Sequence, residues 1–363
     1  MKKHLLIFLF LAISALSPSQ AQKLLWNVDM EAFLDNREYK NEFQSSESLL
    51  GVKILPEIGV GFSEHHALRV GLSATTDLGS TEFVDYLKLT LHYTFDYAPF
   101  KLDVGLFSRR CVTDIMPRAL MYDSLSYYRP TMGGLYWQFY NKWATVDVWL
   151  DWMGRLTKYS REDFAFGSSA HFRPVRFFYA GWNGYLHHST GNKKLDTDTY
   201  RPLTENAVYL IYAGIDLSDV TPFEKLYLDG GYLGSYTRVR GANPMQKSSS
   251  GLHIRFGMEW QGIGVENVYY TGGDMMPLWD TYGSELYMGD PYYRNSGYNR
   301  TDLYIKLIKT SQVDVSFDFS LHAAQGTLGC GQLFRVSVNL GDYNIKKRES
   351  RSGFIWQRWL RKS

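Results

Sequence analysis

The sequence has 363 residues, and its 39 lysines and arginines nearly balance its 37 aspartates and glutamates. This balance gives no indication of a nucleic-acid partner. The two cysteines, Cys111 and Cys330, exclude a disulfide-rich scaffold, and we expect two unpaired thiols unless their loops meet. Apolar residues make up 45% and aromatic residues 16% of the chain, which suits a protein with a large amphipathic surface.

The N-terminus has the pattern of an export signal. Lys2 and Lys3 precede an apolar run from Leu5 to Leu16, and Ala21 ends a small-residue cleavage site. We therefore predict a signal peptide over residues 1–21. An N-terminal membrane anchor is the alternative, although no cysteine follows the cut to carry a lipid.

The dominant pattern after residue 22 is an alternation of apolar and polar residues. Leu87, Leu89 and Leu91, for example, alternate with Lys88 and His92. A period of two is that of a β-strand whose two faces meet different surroundings. The predicted strands cover about residues 24–33, 50–62, 66–78, 83–97, 99–108, 132–142, 143–153, 163–173, 174–187, 204–217, 225–238, 250–261, 262–272, 299–309, 312–323 and 329–341.

The links between these strands are alternately short and long. After the even-numbered strands the chain turns within a few residues, whereas most links after odd-numbered strands are longer, such as 109–131 and 273–298. Short periplasmic turns and long extracellular loops are typical of an outer-membrane barrel. We therefore predict an all-β, antiparallel transmembrane β-barrel of about sixteen strands over residues 22–343, with fourteen strands as the alternative. A water-soluble β-sandwich is the alternative fold, because its strands also alternate apolar and polar residues.

The segment VDVSFDFSLH, residues 313–322, indicates what each face of such a strand contacts. Phe317 and Leu321 would face lipid tails, and Asp314 and Asp318 would face water inside the barrel. A charged side chain on the lipid face at mid-depth costs ~2–4 kcal/mol, and here the charges keep to the opposite face.

Together these features resemble those of the porin-like outer-membrane β-barrel proteins of Gram-negative bacteria, from about residue 24 to residue 343. The resemblance implies insertion by the barrel-insertion machinery, contact with outer-membrane lipid and lipopolysaccharide, small hydrophilic solutes as cargo, and a homotrimer. The C-terminus departs from the family, because a basic segment follows the last strand. We predict that residues 344–363 form an amphipathic periplasmic tail at the inner-leaflet interface; a frayed tail is the alternative.

Charged residues of both signs fall on the predicted inner face. In a wet pore, opposed charges create a transverse field that discriminates weakly between ions. The alternative is that they pair with one another and fill the interior. The predicted pore-lining residues are Lys88, His92, Asp96, Asp147, Asp151, Arg255, Glu259, Asp302, Lys306, Asp314, Asp318 and Arg335.

The long loop at residues 109–131 is a candidate constriction. It contains Arg109, Arg110, Arg118 and Arg129, whose permanently charged guanidinium groups suit carboxylates or phosphates. The loop would narrow the pore if it folded inward, and it would be a solvated exterior loop otherwise.

The segment YLHHSTGN contains the sharpest indication of an enzyme. Its His187-x-Ser189 triplet resembles the start of a motif of outer-membrane phospholipase A and lipid A deacylase. The resemblance implies a serine nucleophile, a histidine base and a third residue that orients the histidine, here Asn192 or Glu205. The family motif continues with asparagine, where this chain has Thr190. The alternation also places both triplet residues on the inner face, away from the bilayer.

We therefore predict an outer-membrane channel, not an enzyme, that passes small hydrophilic solutes by diffusion and needs neither a cofactor nor a metal. Motifs for nucleotides, redox pairs or zinc peptidases are missing from the sequence. Two alternatives stay open: an acyl hydrolase that uses Ser189 and His187, and a plugged barrel that binds a partner through its aromatic loops. An interior filled by the loop at 109–131 would favour the plugged barrel over the channel.

Overall fold

The computed structural model describes residues 23–40, 42–191, 201–241 and 244–341. It is a closed barrel of sixteen antiparallel strands arranged in chain order, so the predicted fold is confirmed. The predicted signal peptide and the predicted tail lie outside the described residues. The strands are β1 Lys23–Glu38, β2 Glu47–Gly61, β3 His66–Asp77, β4 Tyr86–Tyr97, β5 Phe100–Ser108, β6 Thr131–Tyr140, β7 Ala144–Gly154, β8 Asp163–Val175, β9 Phe178–Ser189, β10 Leu203–Asp216, β11 Lys225–Arg240, β12 Met245–Trp260, β13 Ile263–Gly272, β14 Gly297–Lys309, β15 Val313–Ala324 and β16 Thr327–Gly341.

The barrel closes where β16 pairs with β1, from Asn27 opposite Gly341 to Glu38 opposite Cys330. Closure gives every strand two partners and leaves no open edge. A closed sheet also satisfies the backbone N–H and C=O groups internally, which a hydrocarbon environment requires. Among the described residues, no helix is long and apolar enough to cross a membrane.

The two faces of the strands have the predicted surroundings. On β4, Leu89 is 52% exposed, whereas Thr90 and His92 are 0% and 2% exposed because they point into the barrel. On β15, Phe317 and Leu321 are exposed and His322 is buried. The outer wall therefore carries an apolar belt, and the interior is polar.

Aromatic side chains near the strand ends of a membrane barrel are typical of the two membrane interfaces. Trp26, Trp143, Trp152 and Trp260 are exposed on the outer wall, where such side chains would meet the interface. Tyr270 is different, since its side chain is fully buried inside the barrel, where it donates to the carbonyl oxygen of Gly273 at 2.5 Å.

Two of the connections are two-residue hairpins at Gln261-Gly262 and Gln325-Gly326. All four residues have positive φ angles, between +50° and +79°. Left-handed backbone at both central positions makes a type I′ turn, whose twist matches that of the flanking strands.

Some extracellular loops are shorter than predicted because the strands continue above the apolar belt. The predicted link at 239–249 is mostly strand, since β11 ends at Arg240 and β12 begins at Met245. The link predicted at 34–49 is similarly reduced to residues 39–46.

The two longest described loops, 109–130 and 273–296, fold into the barrel, and we call them together the plug. Their short helical turns cover Arg110–Thr113, Leu125–Tyr128, Trp279–Tyr282, Gly283–Glu285 and Pro291–Arg294, and a further turn at Ser218–Val220 lies between β10 and β11. The apolar core of the protein lies where the plug meets the inner wall, and it includes Leu120 and Tyr292 at 0% exposure.

Candidate functional site

The inner wall is held together by ion pairs and hydrogen bonds between neighbouring strands. Asp147 is buried and accepts hydrogen bonds from Tyr136, Gln138 and Ser169, at distances between 2.5 and 2.8 Å. Lys306 forms an ion pair with Glu259. The alternative in which interior charges pair with one another is thus observed for these groups.

The predicted pore-lining residues share the inward parity of their strands. Asp147, Asp151, Glu259 and His92 are buried, and Arg335 borders an internal cavity. Their role in solute passage stays a prediction. Free thiols are observed at both Cys111 and Cys330, which do not pair.

The loop at 109–130 reaches the barrel wall through its arginines. Arg109 is buried and paired with Asp151, and Arg110 Nη1 lies 3.3 Å from Asp29 Oδ2. Arg118 Nη1 lies 3.2 Å from an oxygen of Asp302 on β14. Of the four predicted constriction residues, Arg129 is the one that is exposed.

The two plug loops are also bound to each other. The backbone N–H of Tyr122 donates to the carbonyl of Met288 at 2.8 Å, and that of Asp290 donates to the carbonyl of Arg118 at 2.9 Å. Tyr287, Tyr292 and Tyr293 are buried between the loops and the wall. An interior filled in this way is the arrangement that favours a plugged barrel over an open one.

The pKa values of two carboxyl groups in the plug are shifted in opposite directions. Burial raises the pKa of Asp290 to about 6, although Arg300 lies 4.0 Å away. Burial would also raise the pKa of Asp123, but the nearby charges of Arg118 and Arg300 overcome it and lower the pKa to about 2. Asp290 is therefore the plug group whose charge changes in mildly acidic solution.

A polar chamber lies against the plug, between it and the strands β13 to β16 and β1. Its larger cavity has a volume of about 310 Å³ and a neighbouring cavity about 240 Å³. The two cavities share four charged lining residues, which are Arg118, Asp123, Glu266 and Arg300.

The predicted catalytic alternative, Ser189 with His187, is not assembled in the structure. Both residues are buried on the inner face of β9, and Ser189 Oγ has no hydrogen-bond partner among the described residues. His187 Nδ1 lies 3.0 Å from the carbonyl of Leu286, and Nε2 lies 2.6 Å from Asp163 Oδ1. Both ring nitrogens are thus engaged by other groups, so neither is placed to take a proton from Ser189. Asn192, a suggested orienting residue, lies outside the described residues.

The next residue, His188, lies on the outer wall of the barrel. Its Nδ1 is 3.3 Å from Glu205 Oε1 on the neighbouring strand β10, and its ring stacks on Phe164 with ring centroids 5.0 Å apart. A carboxylate that accepts from Nδ1–H leaves Nε2 with a lone pair, which is the form a general base needs. No described residue hydrogen-bonds to Nε2. We call His188 and Glu205 the outer dyad.

The outer dyad lies at the extracellular edge of the apolar belt. His188 is two residues beyond the exposed Leu186 on β9, a rise of about 7 Å along the strand. Below Glu205 on β10, Tyr209 and Ile211 are exposed towards lipid. The dyad therefore borders the apolar belt on the side of the barrel that carries the long loops.

Two arginines of β11 give the outer dyad a positive border. Arg240 Nη2 lies 3.0 Å from Glu205 Oε2, and Arg238 is the Cα partner of Glu205 in the strand register. Positive charge beside a base can stabilise an oxyanion that forms during ester cleavage.

Sequence reasoning named Glu205 as a residue that could orient His187, whereas the structure places Glu205 beside His188. His188 has the parity of the outward-facing Trp182 and Leu186, and Glu205 has that of Tyr209. The alternation itself could therefore have paired Glu205 with His188. The strand register, which places the two Cα atoms opposite each other, confirms that pairing.

Fold and site together define the class of this protein, an outer-membrane β-barrel of porin-like fold with a plugged interior. The family profile described as lipid A 3'-O-deacylase-type matches residues 16–338, and the chain belongs to that family. No curated protein matches the chain significantly.

Solved structures of outer-membrane proteins share the fold. A loop L8 deletion mutant of OmpT, an outer membrane protein of Vibrio cholerae, is 9% identical with a TM-score of 0.54, over 88% of this chain and 100% of that chain. OccAB3 of Acinetobacter baumannii is 11% identical with a TM-score of 0.46, over 88% and 99% of the two chains. At these identities the likeness concerns the fold alone.

The prediction that this protein is not an enzyme is wrong. The family profile that matches most of the chain is that of an enzyme family, the lipid A 3'-O-deacylase type. The sequence-based prediction relied on the inward parity of His187 and Ser189 and on the departure of Thr190 from the family motif, and it did not consider His188.

Proposed function

We propose that the protein is an outer-membrane hydrolase that removes an acyl chain from a lipid A-type ester in the outer leaflet. The observation that carries this proposal is the outer dyad, in which Glu205 orients His188 on the lipid-facing wall at 3.3 Å. A substrate embedded in the bilayer can reach this wall laterally. It cannot reach Ser189, which is buried beneath the plug.

In the proposed reaction, His188 Nε2 takes a proton from a water molecule, and the resulting hydroxide attacks the ester carbonyl carbon. The ester C–O bond then breaks, and the proton passes from His188 to the departing alkoxide. The products are a carboxylic acid and an alcohol. Glu205 stabilises the protonated imidazole, and Arg238 and Arg240 provide positive charge near the developing oxyanion.

Water is the proposed nucleophile because the nearby hydroxyl of Thr190 is already engaged. Thr190 Oγ1 accepts a hydrogen bond from the backbone N–H of Glu162 at 3.1 Å, and it donates to the carbonyl oxygen of Glu162 at 3.3 Å. Its proton is thus directed at a carbonyl and away from His188.

The test is acyl release from lipid A in mixed micelles by the purified, folded protein, followed by mass spectrometry. We expect His188→Gln to lower the rate by about 10²–10⁴, the usual contribution of a general base. The matched control is His187→Gln, one residue away on the opposite face, which should stay active. Equal rates in His188→Gln and the parent, or a loss confined to Ser189→Ala, would contradict the proposal.

A second candidate function is the passage of small hydrophilic solutes, which the polar chamber of about 310 Å³ supports. Planar-bilayer recordings on the folded protein test it. We expect a low conductance that rises when Arg118→Ala frees the plug from Asp302. If neither the parent protein nor Arg118→Ala conducts ions across the bilayer, the channel function is excluded and the proposed hydrolase is unaffected.

Further expectations concern export and assembly. A cleaved signal peptide at residues 1–21 would direct export of the chain. The barrel-insertion machinery would then insert it, and three copies would assemble in the outer membrane. N-terminal sequencing of the mature protein and its mass in detergent test these two points.

A further inference from the structure

Arg335 lies in the middle of β16, where its neighbours across the sheet are Phe33 and Ser316. Its side chain borders the larger cavity of the polar chamber, and its Nε atom is buried without a hydrogen-bond partner. Among the described residues, its guanidinium forms no hydrogen bond and no ion pair. A buried N–H donor without an acceptor is costly, because it has lost water without gaining a partner.

The other cations that border this cavity each have a carboxylate partner. Arg37 Nη2 lies 2.6 Å from Asp35, Arg300 Nε lies 2.8 Å from Asp302, and Lys225 Nζ lies 2.9 Å from Glu266. The remaining two are similarly held: Arg118 is paired with Asp123, and Lys306 with Glu259. Of these cations, Arg335 is the one without a carboxylate partner in the part of the chain that the structure describes.

The carboxylates nearest to Arg335 attract it only at longer range. Glu31 is held by Lys53 at 2.8 Å and by Arg110 at 3.8 Å. Asp318 borders the same cavity, and its Oδ2 accepts from Ser316 Oγ at 3.3 Å. A volume of about 310 Å³ far exceeds the ~10–15 Å³ that one water molecule requires, so the cavity has room for a solute.

We propose that Arg335 is an internal binding site for a small solute that carries an oxyanion group, a carboxylate or a phosphate. The planar fork of the guanidinium can bind either group through two parallel hydrogen bonds. Such an anion supplies the acceptors that the Arg335 donors lack. The site lies inside the barrel, so it is separate from the outer dyad and independent of the proposed hydrolysis.

The test measures binding of acetate and of inorganic phosphate to the full chain folded in detergent, at constant ionic strength with chloride as the reference. Titration calorimetry and the thermal unfolding midpoint are the two readouts. We expect at least one of the two anions to bind and to raise the midpoint. Comparing acetate with phosphate identifies the class of oxyanion.

Variants then assign the site. Arg335→Met should weaken binding at least tenfold, and Arg335→Lys, which keeps the charge but loses the fork, should weaken it less and keep the protein folded. Lys306→Met removes the same charge from the same cavity and should change binding less than threefold, since Glu259 retains Lys225 at 3.6 Å. Asp318→Asn removes the competing carboxylate and should tighten binding.

The proposal is overturned if neither anion binds the parent protein. It is also overturned if Arg335→Lys and Lys306→Met change binding equally, or if Asp318→Asn leaves binding unchanged. The last result would mean that Asp318 does not compete with the anion for Arg335, and that the anion binds elsewhere.

Discussion

His187 and His188 are adjacent on β9, and their surroundings are opposite. His187 points inward, where Asp163 and the carbonyl of Leu286 occupy both of its nitrogens, and it anchors the plug to the wall. His188 points outward, where Glu205 engages one nitrogen and no described residue engages the other. The side of the sheet on which a histidine lies, more than the residue type, therefore decides which groups it can contact.

The largest expected effect concerns the carboxylate of the outer dyad. Glu205→Gln keeps the shape of the side chain but removes the charge that stabilises the protonated His188, so acyl release should fall by about 10² or more. Mass spectrometry of the released fatty acid measures the rate. The matched inner variant, Asp163→Asn, should release acyl chains at close to the parental rate. A fully active Glu205→Gln protein would mean that Glu205 does not support His188 as a general base.

Asp163, the carboxylate that contacts His187 inside the barrel, should instead stabilise the plug. A hydrogen bond to a charged group contributes ~1.5–3 kcal/mol, and because the Asp163 side chain is 24% exposed we expect a loss within this range for Asp163→Asn. Hydrogen exchange of residues 283–290 should rise in this variant and not in Glu205→Gln. Unchanged exchange would show that the Leu286 contact alone holds the loop.

A smaller, pH-dependent effect is expected at Asp290 in the plug. Its folded-state pKa of about 6 exceeds the ordinary value of 3.8, so the folded plug binds a proton more tightly than the unfolded chain. Plug stability should therefore be greatest below the ordinary pKa and should fall as the pH rises through 6. Arg300, Arg118 and Asp123 face this carboxyl group, and Asp123 stays charged over this range.

Asp290→Asn should remove that pH dependence. The amide oxygen can still accept from Gln44, which donates to Asp290 at 2.7 Å, and the uncharged group has no desolvation cost of ionisation. We expect the variant to be about 1–2 kcal/mol more stable than the parent near neutral pH. Thermal unfolding between about pH 4 and 8 measures this difference. Parallel stability curves for the two proteins would contradict the prediction.

Much of the fold was predictable because a strand in a membrane barrel has a period of two and one face in lipid. Exposed Leu89 and buried His92 on β4 follow from that rule, as do the sixteen strands. The strand ends were less predictable. β11 and β12 continue above the belt, where both faces meet water and the alternation no longer marks the strand boundary.

The candidate site was only partly predictable. The His187-x-Ser189 triplet directed attention to β9, but a triplet does not state which residues face each other across strands. Glu205 lies opposite His188 because β9 and β10 pair in one particular register, across a loop that the sequence pattern does not constrain. The use of Arg109 and Arg118 to bind the wall likewise depends on where the loop folds.

The sequence by itself determined the strand-by-strand alternation, the apolar belt and the polar interior, because these depend on side chains two residues apart and on the solvent that each face meets. The tertiary structure decided which charges pair, how the plug fills the barrel and which histidine keeps a free nitrogen. Those outcomes depend on contacts between residues far apart in the chain, such as Arg118 with Asp302 and His187 with Leu286, whose geometry exists only once the sheet has closed.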